Sequence, residues 1–192
     1  MGDVVKFMEI NHSHIVLDAC CVLNLCASEH FIAILKVIPV QFVVTQVVHE
    51  QELKTLRQID EQNNEGAIQY EQAITQNLLE IVDFDSEAEM ETFVSFVFEM
   101  RDDGESATGA IAVHRGWAIA TDDKRAISFF RREVPDLTIL STLEIIKYWS
   151  EEAKIDSTQL QIILNNIQTQ GRYAPQKSHP LRSWWEKAIS EI

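Results

Sequence analysis

The stretch Asp102–Asp123, "DDGESATGAIAVHRGWAIATDD", sets acid pairs at both ends of a segment of mostly small and apolar side chains. Its first part, "GESATGAIAVHR", reads as a helix ended by Gly116, and "WAIATD" reads as a strand. A helix and a strand that fold back on each other bring Glu105 and Asp123 to one end of the unit. The small residues of "ATGAIA" allow that helix to lie close against a sheet.

Working outward, the same alternation of strand and helix continues in both directions. "HIVLD" is a short β-branched run ending in Asp18, followed by helical apolar spacing through Val22, Leu23 and Leu25. "FIAILKVI" is a second short helix stopped before Pro39. "QFVVT" is a strand, and Thr45 is placed to cap a helix over "QVVHEQELKTLRQI". The glutamine-rich segment Glu61–Gln76 is expected as helical hairpin or loop. "LLEIVDF" is a strand, and Ser86 caps "EAEMETFVSFVFEM", whose Met90, Phe93, Val94, Val97 and Phe98 are expected as a core-facing stripe. "KRAISFFRRE" is a helix stopped before Pro135, and "LTIL" is the last strand. Helices follow over "STLEIIKYWSEEAK", "STQLQIILNNIQTQ" and "LRSWWEKAI", the last two joined by the link "GRYAPQKSHP". The Trp184–Trp185 pair is expected to dock the last helix.

This order predicts an α/β fold, a three-layer α/β/α sandwich around a mostly parallel sheet with C-terminal helices. Residues 1–155 form the expected α/β domain, and residues 156–192 a helical extension packed on it.

Composition narrows the function classes. The chain has 192 residues, 46% of them hydrophobic, enough for one compact domain with a substantial core. Its longest apolar candidate, "FIAILKVIPVQFVV", is interrupted by Lys36, Pro39 and Gln41, so no membrane span is expected. The first fourteen residues lack the features of a secretion signal, and a cytoplasmic location is expected. Cys20, Cys21 and Cys26 lack metal-ligand spacing and read as small buried thiols. The six histidines form no zinc-binding pattern. The net charge of −14 is concentrated in residues 1–114, which carry 5 basic and 20 acidic side chains. Such a surface argues against loose, sequence-blind nucleic-acid binding, but not against a local basic patch.

Ligands of open α/β sheets bind beyond the carboxyl ends of the strands. Asp18 ends the first strand, Glu50 lies in the opening turns after the second, Glu105 heads its helix, and Asp122–Asp123 end the fourth strand. Single acids at helix starts are commonly caps. Converging carboxylates raise each other's pKa unless a cation joins them, and oxygen donors suit Mg²⁺ or Mn²⁺.

With these residues placed, the chain resembles the PIN-domain family of metal-dependent nucleases, especially its small toxin-like members. "IVLDACCVLNL" is similar to the family's opening strand, acid and leucine-rich helix, and "VVTQVVHEQEL" to its second motif. "GESATGAIAVHRGWAIATDD" resembles the third and fourth, ending in T-x-D as Thr121–Asp122–Asp123. The resemblance covers about residues 14–155. It departs at Cys20, where the family usually carries Ser, Thr or Asn. The resemblance implies an endoribonuclease in which Asp18, Glu50, Glu105 and Asp123 hold one or two Mg²⁺ or Mn²⁺ ions, with Asp122 as a possible substitute for Asp123. It implies an RNA substrate whose phosphates Lys124, Arg125, Arg131 and Arg132 could meet. It also implies a possible antitoxin protein that blocks the cleft, and a possible homodimer. A second reading is a catalytically weak PIN-like scaffold that binds a protein or nucleic acid, favoured by Cys20 and the acidic first part. A phosphoryl-transfer enzyme on another α/β scaffold is disfavoured, because "LDACC" lacks the D-x-D of such phosphatases.

Overall fold

The computed structural model describes residues 12–52 and 65–190. Five parallel strands, β1 (His14–Leu17), β2 (Gln41–Thr45), β3 (Leu79–Val82), β4 (Ala118–Ala120) and β5 (Ile139–Leu140), form one sheet in the order β3-β2-β1-β4-β5. Helices α1 (Ala19–Ala27), α2 (Phe31–Val37), α3 (Glu65–Thr75), α4 (Glu87–Met100), α5 (Asp103–Arg115), α6 (Lys124–Glu133), α7 (Thr142–Glu152), α8 (Ser157–Thr169) and α9 (Arg182–Ser190) surround it.

Strand alternation assigns the layers, because successive side chains leave opposite faces of a sheet. Ile15 and Leu17 of β1, with Phe42 and Val44 of β2, pack in one cluster with α1, α2, α3, α7, α8 and α9. Val16, Val43 and Ile119 point to the other face and pack with α4, α5 and α6. The architecture is a three-layer α/β/α sandwich. The segment expected as a C-terminal extension contributes Ile163, Leu164, Ile167, Leu181 and Trp185 to the first cluster, so it shares the main core.

Strand order decides where a site can lie. The chain steps outward from β1 to β2 to β3, then returns to place β4 on the other side of β1. Neighbouring connections therefore leave β1 and β4 in opposite directions, which opens a crevice at their carboxyl ends. The register pairs Leu17 with Ala120, so Asp18 and Thr121 emerge side by side; the Asp18 amide donates to the Ala120 carbonyl at 3.0 Å.

Helix α5 begins at that edge. Asp102 caps it by accepting from the Glu105 amide at 2.9 Å, and Gly116 ends it in the left-handed conformation. Its small residues admit a neighbouring helix as well as the sheet. A Cβ at Gly109 would lie 2.3 Å from Cε1 of Phe130 on α6, too close for any side chain. Phe130 is 1% exposed, and its ring has little room to retreat.

Two sequence expectations change. On α4 the buried side is Glu89, Phe96 and Met100, with Phe93 and Val97 half-buried, whereas Met90, Val94 and Phe98 are 44%, 60% and 85% exposed. The rotation is fixed by contacts that apolar spacing does not reveal. Phe96 meets Phe129 and Phe130 edge-on, and Glu89 takes a paired hydrogen bond from Arg115 of α5. After β2, Thr45 caps as expected, accepting from the Val48 amide at 3.2 Å. The turn that follows is π-helical over Val48–Glu52, and the remainder of the expected helix lies outside the described residues. Of Glu61–Gln76, the described part is helical over Glu65–Thr75. Among the described residues no single helix is long and apolar enough to cross a membrane.

Candidate active site

Asp18 is both a cap and a cleft residue. Its extended backbone lets Oδ1 accept from the Ala19 amide at 2.8 Å and start α1. Oδ2 accepts from the Thr121 hydroxyl at 2.9 Å and from the Cys20 thiol at 3.1 Å. The residue is 3% exposed and no cation pairs with it among the described residues. Burial raises its pKa above the ordinary carboxylate value, with Asp102 adding to the rise while the Cys20, Thr121 and Ala19 hydrogen bonds oppose it.

Thr121 is 2% exposed and links the two acids that flank it in space. While its hydroxyl donates to Asp18, the same oxygen accepts from the Asp123 amide at 3.2 Å. Asp123 caps α6 with Oδ1, accepting from the Arg125 and Ala126 amides at 2.7 and 3.0 Å. The T-x-D stretch therefore ties the end of β1 to the start of α6.

Glu105 is half-buried one turn into α5. Burial first, then the charges of Asp18, Asp102 and Asp123, push its carboxyl up to about 8, against the opposing pull of Arg125. Three of the predicted acids, Asp18, Glu105 and Asp123, thus share one electrostatic neighbourhood, joined by Asp102. The sequence placed Asp102 beside Glu105 without assigning it to the site; the opening acid pair was the available signal.

Glu50 stands apart in the described contacts. It is exposed on the π turn, and its carboxylate accepts from Gln46 Nε2. That turn packs against α5, the helix that carries Glu105. Asp122 also separates from Asp123. Its carboxylate accepts from Asn24 Nδ2 at 3.0 Å, from the Thr142 amide at 3.1 Å, from the Thr142 hydroxyl and from the Cys21 thiol at 3.6 Å. Asp122 therefore fastens the end of β4 to α1 and α7.

The cysteines are less bland than their spacing suggests. The ligating atoms of Cys20, Cys21 and Asp122 lie within 4.8 Å of one another. Among the described residues Asp18, Glu105 and Asp123 form no group of that closeness. Asp122 is occupied by donors, and burial drives Cys21 strongly toward the neutral thiol. Asp18 and Glu105 are carboxylates whose pKa values are raised first by burial and then by neighbouring acids, and their oxygens are of the kind that suits a hard divalent ion. Thr108 lines a small crevice with Asp18 and Glu105 that has no room for a water molecule, and its buried hydroxyl has no hydrogen-bond partner among the described residues.

Among the predicted phosphate contacts, Lys124 and Arg125 begin α6 beside Asp123, and Arg125 Nη2 donates to the Met100 carbonyl at 2.8 Å. Arg132 is paired with Glu99 at 3.0 Å and with Glu133 on the exposed surface. Comparison of the chain with known protein families and with curated proteins yields no match.

Proposed function

We propose that the chain is a metal-dependent endoribonuclease of the PIN type, with Asp18, Glu105 and Asp123 holding Mg²⁺ or Mn²⁺. The observation that carries this reading is the uncompensated carboxylate group at the β1–β4 crevice, where Glu105 is held at about 8 by burial and by three other acids.

A divalent ion bound there supplies activation of water and neutralises charge that grows on the phosphodiester under attack. The protein's own residues set the conditions. Thr121 and the Ala19 amide fix both oxygens of Asp18, so its orientation costs nothing on binding. Without a cation Glu105 keeps its proton near neutral pH, which limits repulsion inside the crevice. Lys124 and Arg125 supply positive charge beside Asp123, on the path of a polyanionic substrate.

The test is cleavage of single-stranded RNA by purified protein with Mg²⁺ or Mn²⁺. We expect cleavage that stops with chelator and falls at least about a thousandfold in Asp18→Asn, which keeps the capping oxygen. Intact RNA across varied substrates under metal-replete conditions would overturn the reading. The alternative, a catalytically weak scaffold, draws on Cys20, whose thiol donates to Asp18 where the resemblance expects a hydroxyl or amide. It predicts the same intact RNA together with folded, partner-binding protein.

A further inference from the structure

The link between α8 and α9, read from sequence as a connector, forms one wall of a sizeable cavity. The cavity is about 580 Å³, starts at Asp122 and Asp123, and runs between α6, the start of α7 and residues 172–180. A second cavity of about 350 Å³ adjoins it and shares Lys124, Arg131, Gln176 and His179, so the two make one groove leading away from the carboxylates.

The wall is fixed at several points. A Cβ at Gly171 would lie 2.7 Å from the Ile167 carbonyl oxygen and 2.9 Å from Asn24 Oδ1, so only glycine lets the chain press onto α1 here. Arg172 follows in the left-handed region at φ 54°, a conformation that costs free energy for any residue with a side chain. Tyr173 then packs its ring edge-on against Trp185 of α9, with centroids 6.0 Å apart. At the far end His179 accepts the Leu181 amide on Nδ1, so Nε2 carries the proton it donates to Ser141 Oγ at 3.1 Å.

The acids of the groove are confined to the first cavity, which Asp122, Asp123 and Glu144 line, and none lines the second. Asp122 is saturated, Glu144 accepts the Ser141 amide in a capping box, and Asp123 caps α6. Lys124, Arg131 and Arg172 line the cavity, and none forms an ion pair among the described residues. On a chain of net charge −14, three unpaired cations along one groove favour an anionic ligand. Two adjoining cavities suit a chain of phosphates better than a single anion. Tyr173 adds an aromatic ring of the kind on which unpaired bases stack.

Building on the nuclease reading, we propose that this groove is a binding track for single-stranded RNA, with Arg131 and Arg172 on its phosphates and the 172–180 link as its outer wall. The experiment uses the full chain carrying Asp18→Asn, without metal, and a labelled 12-nucleotide oligouridylate, followed by fluorescence anisotropy from 50 to 200 mM salt. Arg131→Gln/Arg172→Gln removes two charges while keeping an unbranched polar side chain at each position and a Cβ at position 172. Arg132→Gln, on the neighbouring but outward-facing and already paired residue, is the control.

We expect the double substitution to weaken binding at least tenfold at 100 mM salt and to lower the log–log salt slope by roughly 1.4, the value for two phosphate contacts on a single strand. The control should stay within twofold. Absence of binding, indifference to the double substitution, or tighter binding of a duplex of the same length would overturn the proposal. The two readings separate in wild-type background. Binding through Arg131 and Arg172 without any metal-dependent cleavage retires the nuclease and keeps the track. Cleavage and binding that ignore both residues do the reverse.

Discussion

Helix α5 meets a glutamate at each end, and the two ends treat it in opposite ways. At its last residue, Arg115 donates to both oxygens of Glu89 at 2.7 and 3.0 Å, and that pairing holds the Glu89 carboxyl below its ordinary pKa. Glu89 is 1% exposed because the guanidinium covers it, so its burial is shallow and its charge is answered. At the first turn of the same helix, Glu105 sits among Asp18, Asp102 and Asp123 and is pushed up to about 8. The fold can supply a cation to a buried carboxylate, and does so away from the crevice. Leaving the crevice unanswered makes sense if the compensating charge arrives from solution.

The largest expected effect is at the paired end. Arg115→Met leaves Glu89 without its partner and should cost about 2 kcal/mol, read as a melting temperature lower by roughly 5–8 °C. Metal-dependent cleavage per folded molecule should not change. A loss of activity at constant folded fraction would show that the two ends are not separable as described.

The opposite sign is expected at the crevice. Glu105 has a folded-state pKa raised from 4.5 to about 8, so the stability associated with its proton is complete below about pH 4.5. It is lost as pH rises through 8, where ionisation of the folded state is disfavoured. Metal-free Glu105→Gln should therefore unfold about 3 °C higher than wild type at pH 8, with little difference near pH 4. A variant less stable than wild type at pH 8 would mean that Glu105 makes a favourable charged contact not described here.

The smallest effect belongs to Thr108. Replacing it with Val removes a buried hydroxyl that lacks a partner, so metal-free stability should hold or rise slightly. If that hydroxyl serves a hydrated ion, Mn²⁺ affinity should fall by about threefold to tenfold. Unchanged affinity would confine Thr108 to packing.

Much of this was readable before the fold was known. β-branched runs marked the strands, Thr45 and Ser86 marked helix starts, and the order of acids along the chain pointed Asp18, Glu50, Glu105, Asp122 and Asp123 toward one sheet edge. What escaped is what depends on distant partners. The exposed side of α4 follows from Glu89 meeting Arg115, and apolar periodicity alone pointed Met90, Val94 and Phe98 inward. Asp122 and Asp123 are adjacent in sequence, yet one fastens three elements together while the other joins the acid group, a division set by Asn24 and Thr142. The link 171–180 was read as a connector from its glycine and prolines, and nothing local in it announced that Gly171 presses it against α1.

The central claim is that Asp18, Glu105 and Asp123 share one divalent cation. Calorimetric titration of metal-free protein with Mn²⁺ across pH 6 to 8 tests it most directly. Binding should strengthen by about tenfold per pH unit as the Glu105 proton is displaced, flatten in Glu105→Gln and vanish in Asp18→Asn. No Mn²⁺ binding to the folded wild-type chain, or binding that survives Asp18→Asn unchanged, would contradict the account.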